Sequence, residues 1–409
     1  MKEVVSDVVV IGAGPAGAVA SALLVQRGWT VSVVERQEFP RFSIGESLLP
    51  QCMEFLAAAN MLDAVQDAGF QFKNGAAFEW DGARTAFDFS DKFSPGPGTT
   101  FQVQRADFDK VLADEAEKQG AKIYYRHGIR EAEIDASGAR LVAECDGEEV
   151  VFRGRFALDA SGFGRVLPRL LDLDRPSPFP ARESVFTHVQ DNIDDADLDR
   201  DKILITVHPR LRDIWYWLIP FSGGRASLGV VGDREKIAAL GKEPQQILRN
   251  AVEAAPELAK TLRNAEFDTP VQRISGYASD VSALTGPGFA LLGNAGEFLD
   301  PVFSSGVTIA MKSAVLAADC LDRDLCGEKV DWHSEFAKPL KHGVDVFKTY
   351  VTAWYDGRFQ DVIFYQTEQK EIKRMICSIL AGYAWDKKNP FVAAAERRLN
   401  TLVEICAAG

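Results

Sequence analysis

The chain has 409 residues, of which 46% are hydrophobic and 26% are charged. A chain of this length is too long to fold around one simple hydrophobic core, so we expect two or three domain-sized units. The 46 Lys and Arg residues are outnumbered by 59 Asp and Glu residues, and the formal net charge of −13 argues against nucleic acid or an anionic membrane as the main partner. The six cysteines form no CxxC pair, which argues against a structural zinc site and favours a reducing compartment.

The N-terminal part of the chain predicts a βαβ unit. Residues 7–11 are a continuous apolar run, typical of a strand buried on both faces. Residues 15–27 have helical spacing and end at Gly28, a suitable C-cap, and residues 30–34 predict a second strand. The polar residues 1–7 lead directly into a strand, and no apolar run reaches the roughly 18 residues of a membrane span, so we expect a cytoplasmic location.

The remaining elements follow from the spacing of apolar residues. Further helices are predicted at residues 50–68, 108–119, 306–321 and from about 332 to the end. Sheet is predicted at residues 70–91, 122–125, 140–144, 150–158 and 289–292. Between about 170 and 275, a mainly antiparallel sheet facing a pocket is predicted, with strands at 184–189, 203–207, 214–220 and 226–231.

A glycine-rich turn follows the first predicted strand. It reads Gly12-Ala13-Gly14-Pro15-Ala16-Gly17, a GxGxxG pattern in which the glycines permit a tight bend, close approach of a pyrophosphate and close packing of helix on strand. Glu35 ends the second strand 23 positions after Gly12, beside Arg36, and its carboxylate can accept hydrogen bonds from a ribose. In this context the turn predicts dinucleotide binding, whereas the pattern alone also fits a bare packing turn.

Three later segments resemble the flavoprotein superfamily of aromatic hydroxylases, geranylgeranyl-reductase-like enzymes and flavin-dependent halogenases. They are Arg105 followed by Phe108-Asp109, the turn Asp159-Ala160-Ser161-Gly162, and Leu291-Leu292-Gly293-Asn294-Ala295 followed by Asp300-Pro301 and Gly306. The resemblance implies an FAD cofactor held by these residues, with the amides of Gly306 and Val307 near the reduced flavin ring. The chain departs from the group at Asn294, where an aspartate is usual.

Within this superfamily the sequence is most similar to the flavin-dependent halogenases. Trp215-Tyr216-Trp217-Leu218-Ile219-Pro220 matches their W-x-W-x-I-P motif, and the segment from Phe298 to Gly306 matches F-x-x-P-x-x-S-x-G. Gly45-Glu46-Ser47 and Lys73 stand where those enzymes carry a cofactor loop and a catalytic lysine. The resemblance implies that reduced FAD and dioxygen form hypohalous acid, which Lys73 holds and delivers. Trp215 and Trp217 would exclude the organic substrate from the flavin, and Ser304, Ser305 and Gly306 would bind chloride or bromide.

The resemblance also implies partners. A separate NAD(P)H-flavin reductase would supply reduced flavin. Phe303 stands where tryptophan halogenases carry a glutamate thought to assist proton loss from the ring, and a phenyl group cannot do this. We therefore expect an electron-rich aromatic substrate, a phenol or a pyrrole, either free or tethered to an acyl or peptidyl carrier protein. In relatives, helical tails like the one after residue 330 cover the substrate pocket.

Three other interpretations stay open at this level. The chain could be a flavin-dependent reductase or dehydrogenase of an isoprenoid or polyene-like substrate, or an NAD(P)H-dependent aromatic monooxygenase. A flavin-binding module without activity is the third. Two tryptophans at i and i+2 on a strand also fit a pocket wall without chemistry, and Lys73 also fits a surface lysine at a strand edge.

The expected fold class is α/β, or α+β overall. A discontinuous, three-layer, Rossmann-like FAD-binding domain would comprise residues 1–75, 100–168 and 272–330. An inserted antiparallel-sheet substrate domain would comprise residues 76–99 and 169–271, and a helical C-terminal region would comprise residues 331–409.

Overall fold

The computed structural model describes residues 2–177, 179–194, 198–365 and 369–408. The strands are Lys2–Val5 (β1), Val8–Ile11 (β2), Val31–Val34 (β3), Gln71–Lys73 (β4), Gly75–Trp80 (β5), Ala83–Asp88 (β6), Thr100–Gln102 (β7), Lys122–Tyr124 (β8), Gly128–Asp135 (β9), Gly138–Cys145 (β10), Glu148–Gly154 (β11), Phe156–Asp159 (β12), Asp174–Pro176 (β13), Arg182–Gln190 (β14), Lys202–Val207 (β15), Trp215–Pro220 (β16), Arg225–Asp233 (β17), Gln272–Ser275 (β18), Ser279–Val281 (β19), Thr285–Gly286 (β20) and Phe289–Leu291 (β21). The helices are Pro15–Gln26 (α1), Cys52–Ala58 (α2), Leu62–Asp67 (α3), Arg105–Gln119 (α4), Val166–Leu170 (α5), Arg234–Ala239 (α6), Pro244–Glu253 (α7), Pro256–Thr261 (α8), Ser305–Leu325 (α9), Lys338–Tyr355 (α10), Arg358–Ile363 (α11), Lys370–Leu380 (α12), Pro390–Ala393 (α13) and Ala395–Ala408 (α14).

A parallel sheet organises the N-terminal part of the molecule, in the order β20-β21-β12-β2-β3-β8, with only β20 antiparallel to its neighbour. Its central strands are buried on both faces. Val8 and Val10 face the core around α1, α4 and α9, whereas Val9 and Ile11 face the sheet β1-β11-β10-β9. The three layers confirm the predicted Rossmann-like α/β architecture.

The segment predicted as one strand at residues 150–158 belongs to two sheets, and that prediction is wrong. β11 lies in the four-stranded sheet and β12 lies next to β2 in the parallel sheet. The chain crosses between the layers around Gly154, where a Cβ atom would lie 3.0 Å from the side chain of Val9. An apolar run shows that a segment is buried but carries no information on which sheet buries it.

A seven-stranded sheet follows, in the order β18-β14-β17-β16-β15-β5-β6. It is antiparallel, as predicted, except that β5 and β15 run parallel. Trp215, Trp217 and Ile219 on β16 face the large core, whereas Tyr216 and Leu218 face a second core formed with α6, α7 and α8. These three helices were not predicted, although the buried residues of α7 recur at helical spacing.

The C-terminal part is mainly helical, as predicted, over the residues that the structure describes beyond 332, with turns at residues 381–389; residues 366–368 and 409 lie outside the described part. Helix α10 packs against α9, and Phe347, Tyr350 and Trp354 join the same core as Val302 and Phe303. The C-terminal helices therefore share a core with the segment that begins α9. Among the described helices, none is long and apolar enough to cross a membrane.

Candidate functional site

A cavity of about 520 Å³ lies where the carboxyl ends of the parallel strands meet the seven-stranded sheet. Most of the residues predicted to bind the cofactor line it, and these are Gly12, Gly14, Pro15, Ala16, Glu35, Arg36, Glu46, Ser47, Arg105, Asn294, Pro301, Gly306 and Val307. Trp215, Trp217 and Ser304 line the same cavity. The structure thus brings together segments that are up to about 300 positions apart in the sequence, at the edge of an open α/β sheet where ligands commonly bind.

The glycine-rich turn forms one end of the cavity. Gly12 has a φ of +95°, and a Cβ atom there would lie 2.7 Å from the carbonyl oxygen of Ala160. Gly14 is the N-cap of α1, and no side chain caps this end. The first amides of α1 are therefore available to an anion, with the positive end of the helix dipole behind them.

The carboxylate of Glu35 is fixed at the end of β3 by two backbone amides. Its oxygens accept hydrogen bonds from the amide of Ala13 at 2.9 Å and from the amide of Gln37 at 3.0 Å. Arg41, whose Nη2 lies 3.7 Å from Glu35 Oε2, adds a positive charge. Each carboxylate oxygen has a second lone pair for a ligand hydroxyl, and contact with a ribose stays a prediction.

Arg105 holds the loop that carries Glu46 and Ser47. Its guanidinium donates to both carboxylate oxygens of the fully buried Asp109, at 2.7 and 3.0 Å, and to the carbonyl oxygen of Ile44 at 2.6 Å. On the other side of the loop, His188 Nε2 lies 2.7 Å from Glu46 Oε1. The bidentate pair lies within α4 and fixes the guanidinium, and its further hydrogen bond to Ile44 connects the loop to α4.

Several polar atoms at the cavity wall are buried and have no hydrogen-bond partner within the described part of the chain. They are Arg41 Nε, Glu46 Oε2, Ser47 Oγ and Asn294 Oδ1. Buried polar atoms are normally satisfied, and these four leave donor and acceptor capacity unused beside the cavity, which is compatible with a polar ligand. Together with the uncapped turn, they fit FAD. An amide at Asn294, in place of the usual aspartate, keeps an oxygen that can accept such a hydrogen bond.

Other predicted cofactor residues lie behind the wall. Asp159 is fully buried, and its carboxylate accepts hydrogen bonds from the amides of Ser161 at 2.8 Å and Leu167 at 2.6 Å. Burial raises the pKa of Asp159. A Cβ atom on Gly17 would lie 1.9 Å from the carbonyl oxygen of Gly12, and one on Gly293 would lie 2.8 Å from Ala310. Ala13, Gly17, Asp159 and Gly293 therefore support the cavity wall from behind and do not line the cavity.

Helix α9 begins at the wall of the same cavity. Ser304 has a φ of +55° and precedes the helix, and no side chain caps the helix N-terminus. Gly306 and Val307 line the cavity, whereas Ser305 is buried and does not. Because α9 has 21 residues, its dipole favours an anion near these first amides.

Lys73 lies outside the cavity lining, fully buried on β4. Its Nζ atom donates a hydrogen bond to the carbonyl oxygen of Leu48 at 2.7 Å and lies 5.4 Å from the centre of the Phe89 ring. No described carboxylate forms an ion pair with it, and burial lowers its pKa to about 7. The interpretation as a surface lysine is therefore wrong, and Lys73 lies beside the loop that walls the cavity.

Phe303 faces the C-terminal helices. Its ring packs edge-on against Trp354 at 5.9 Å and Phe359 at 5.5 Å between ring centres. The position where a carboxylate would assist proton loss is therefore embedded among aromatic rings. Among the described residues, no group of His, Cys, Asp and Glu is arranged to hold a metal ion.

Among the residues that the sequence analysis missed, three make polar contacts to predicted site residues: Arg41 to Glu35, His188 to Glu46 and Tyr355 to Trp215. Arg41 lies shortly after the second strand of the βαβ unit, where a basic side chain near a pyrophosphate could have been suspected. His188 and Tyr355 are far from the motifs in sequence, and nothing in their immediate neighbours marks them.

Comparison with known proteins supports the same cofactor. The FAD binding domain family matches residues 5–264. The chain is 31% identical over 339 residues to tryptophan 2-halogenase of Chondromyces crocatus, with 79% of this chain aligned, and it spans 62% of that protein's length. It is 30% identical over 335 residues to 1H-pyrrole-2-carbonyl-(peptidyl-carrier protein) brominase of Pseudoalteromonas luteoviolacea, covering 81% of this chain and 80% of that protein. The crystal structure of a flavoprotein/dehydrogenase from Cytophaga hutchinsonii is 43% identical and superposes with a TM-score of 0.96 over 99% of this chain and 100% of that one.

Proposed function

Since the chain belongs to the FAD binding domain family, and within it to the flavin-dependent halogenase-like oxidoreductases, we propose that it halogenates an electron-rich aromatic compound, a phenol or a pyrrole. The observation that carries this proposal is Lys73. It is a buried amine on β4 without a carboxylate partner among the described residues, and it donates a hydrogen bond to Leu48, which directly follows the cavity-lining loop Gly45-Glu46-Ser47. A lysine is costly to bury in this way, so a chemical role is the simplest reason for it.

The residues at the cavity divide the work. When bound, reduced FAD supplies, with dioxygen, the two-electron oxidising chemistry that turns a halide ion into hypohalous acid. The uncapped first turn of α9, at Gly306 and Val307, would hold the halide ion. Trp215 and Trp217 would keep the organic substrate out of the cofactor cavity, because their indoles form its wall.

Lys73 would carry the halogen. Its pKa of about 7 leaves a large share of the side chain as neutral amine at neutral pH, and only the neutral amine has a lone pair. The amine takes the halogen from hypohalous acid, forming an N–halogen bond and releasing water. The aromatic carbon then takes the halogen from nitrogen, and the proton that the ring loses restores the amine.

The substrate class follows from Phe303. A phenyl group among Trp354 and Phe359 offers no base to the ring being halogenated. A ring that is already electron-rich, such as a phenol or pyrrole, loses its proton without this assistance. The brominase relative acts, by its name, on a pyrrole carried by a peptidyl-carrier protein, so a carrier-bound substrate is included in the test.

The test combines purified protein, FAD, an NAD(P)H-flavin reductase, oxygen and bromide or chloride. Phenol and pyrrole acceptors are offered free and as carrier-protein thioesters, and halogenated product is detected by its isotope pattern in mass spectrometry. The Lys73→Ala variant is expected to bind FAD and consume oxygen but form no product. Lys110→Ala is the matched control, since Lys110 is an exposed lysine on α4. Full halogenation by Lys73→Ala would remove Lys73 from the mechanism.

A second candidate is a dehydrogenase or reductase of an apolar substrate. Two observations favour it: Lys73 does not line the cavity, and a 43% identical relative is described as a flavoprotein/dehydrogenase. It predicts rapid, saturable bleaching of the bound flavin by NADPH or NADH alone, without a reductase. If bleaching occurs and no acceptor is halogenated, this candidate replaces the first.

A further inference from the structure

The two tryptophans at the cavity wall are held in different ways. Trp217 Nε1 donates a hydrogen bond to Ser227 Oγ at 3.0 Å, on the neighbouring strand β17 of the same sheet. Trp215 Nε1 donates instead to the hydroxyl of Tyr355 at 2.9 Å, at the end of helix α10. One indole is therefore fixed by its own sheet, and the other by the C-terminal helices.

The hydroxyl of Tyr355 connects Trp215 to Asp300. It donates to Asp300 Oδ2 at 2.9 Å, and Asp300 Oδ1 accepts a hydrogen bond from the amide of Val302 at 3.0 Å. An indole N–H can only donate, so the tyrosine oxygen accepts from it and the tyrosine proton is left for the carboxylate. The Tyr355 hydroxyl is therefore satisfied on both sides, as acceptor from Trp215 and as donor to Asp300.

Charge and burial favour this arrangement. Trp215 is 1% exposed and Asp300 is 3% exposed, and both line the cavity. The guanidinium of Arg182 lies 3.2 Å from the centre of the Tyr355 ring and contributes positive charge near Asp300. Burial raises the pKa of Tyr355, so its hydroxyl keeps the proton that it donates.

We propose that Tyr355, anchored by Asp300, is a positioning residue that fixes the indole of Trp215 in the cavity wall and so makes the C-terminal helices part of the barrier between cofactor and organic substrate. Its consequence for turnover rests on the proposed function. The positioning itself does not, because it concerns only the conformation of Trp215.

The conformation of Trp215 is measured by 19F NMR on protein labelled with 5-fluorotryptophan, with the Trp215 resonance assigned by its loss in Trp215→Phe. Tyr355→Phe keeps the ring and removes the hydroxyl. We expect the Trp215 resonance to shift and broaden or split, and the Trp217 resonance, from a ring whose centre is 6.0 Å from that of Trp215, to change less. The matched control is Tyr350→Phe on the same helix, which removes a buried hydroxyl bonded to the carbonyl oxygen of Phe391 and leaves the Trp215 resonance as it was. An unchanged Trp215 resonance in Tyr355→Phe would overturn the proposal.

Turnover gives the second measurement. With FAD affinity within about twofold of the native protein, Tyr355→Phe should release several-fold more hydrogen peroxide per halogenated product. In the Trp215→Phe background the same change should add nothing, since Tyr355 acts through Trp215. An equal effect in both backgrounds would show that Tyr355 acts by another route and would overturn the proposal. If the native protein forms no halogenated product, the proposed function fails and the NMR comparison still decides the positioning.

Discussion

Replacing Lys73 by methionine should stabilise the protein at neutral pH, because an uncompensated ammonium is removed from the interior. Lys73 is fully buried, and burial lowers its pKa from 10.5 to about 7. This difference corresponds to roughly 5 kcal/mol of destabilisation when the side chain is charged. Methionine has similar length and no charge, so it avoids this cost.

The substitution also removes favourable contacts. The carbonyl oxygen of Leu48 loses its hydrogen bond from Lys73, which costs about 1 to 3 kcal/mol when the group stays buried. The contact with the Phe89 ring contributes about 1 kcal/mol more. The net gain in the free energy of unfolding of Lys73→Met is therefore about 1 to 3 kcal/mol at pH 7 or below.

The pH dependence is the sharper part of this prediction. The pKa of Lys73 is lower in the folded state than in the unfolded state, so between about 7 and 10.5 the unfolded chain binds more protons and the native protein gains stability as pH rises. The advantage of Lys73→Met should shrink by about 1.4 kcal/mol per pH unit in this window and change sign before its upper end.

Urea unfolding of the FAD-free proteins, followed by circular dichroism at pH 6.5, 8 and 9.5, measures the difference. Lys110→Met is the control, because Lys110 is exposed and its replacement should change stability by less than about 0.5 kcal/mol at every pH. A variant at Lys73 that is less stable than the native protein at pH 6.5, by an amount independent of pH, would refute the reasoning. The Lys73 ammonium would then be well compensated, and the basis for a reactive neutral amine would be lost.

Three further predictions concern the cavity. Gly14→Val should abolish FAD uptake measured by flavin absorbance, because Gly14 lines the cavity and the new side chain would occupy it. The circular dichroism spectrum should stay unchanged, because the φ of −71° at Gly14 is one that valine can adopt. FAD affinity equal to that of the native protein would contradict the assignment of the turn. Gly229→Ala should weaken FAD binding at least about tenfold in a fluorescence titration, because the new Cβ atom would lie 2.3 Å from the ring of Trp217 and force it from its place; unaltered binding would show that the ring can move elsewhere. Asp300 faces Arg182, Tyr277 and Tyr355, and burial raises its pKa from 3.8 to about 6. The free energy of unfolding of the native protein should therefore fall by up to about 3 kcal/mol as pH rises from about 4 to 6, and that of Asp300→Asn should not. Curves of unfolding free energy against pH that run parallel for the two proteins would contradict this.

The fold was predictable where burial and turn chemistry act locally. The strand at residues 8–11 is apolar on both faces because it lies between two layers, and the GxGxxG turn follows it directly, so the βαβ unit was identified from adjacent residues. The split at Gly154 and the parallel pairing of β5 with β15 depend on which distant segment lies alongside, and neighbouring residues do not encode that. Helices α6 to α8 were missed because they interrupt a region of strong strand pattern.

The candidate site shows the same division. Motif residues such as Gly14, Trp215 and Gly306 were predicted to be together and line one cavity. Residues that hold the motif in place were not found, since His188 acts on Glu46 across 142 positions and Tyr355 acts on Trp215 across 140. A sequence motif identifies residues whose side chains must be of a particular chemical type. The residues that hold those side chains in place only need to be close in three dimensions, so they leave no pattern in the neighbouring sequence.

Lys73 does not line the cofactor cavity. This position fits the proposed function if only a small molecule, hypohalous acid, has to move from the cavity to Lys73. The first turn of α9 connects the cavity to the surroundings of Lys73: Gly306 and Val307 line the cavity, and the hydroxyl of Thr308 lies 3.2 Å from Sγ of Cys52, a thiol close enough to Lys73 that its ionisation would raise the pKa of the amine. A thiolate would compete with the amine for an electrophilic halogen. Burial raises the pKa of the Cys52 thiol, which keeps it protonated and poorly nucleophilic, while burial lowers the pKa of Lys73 and frees its lone pair. The same apolar environment thus suppresses the competing nucleophile and activates the one that the proposed reaction needs.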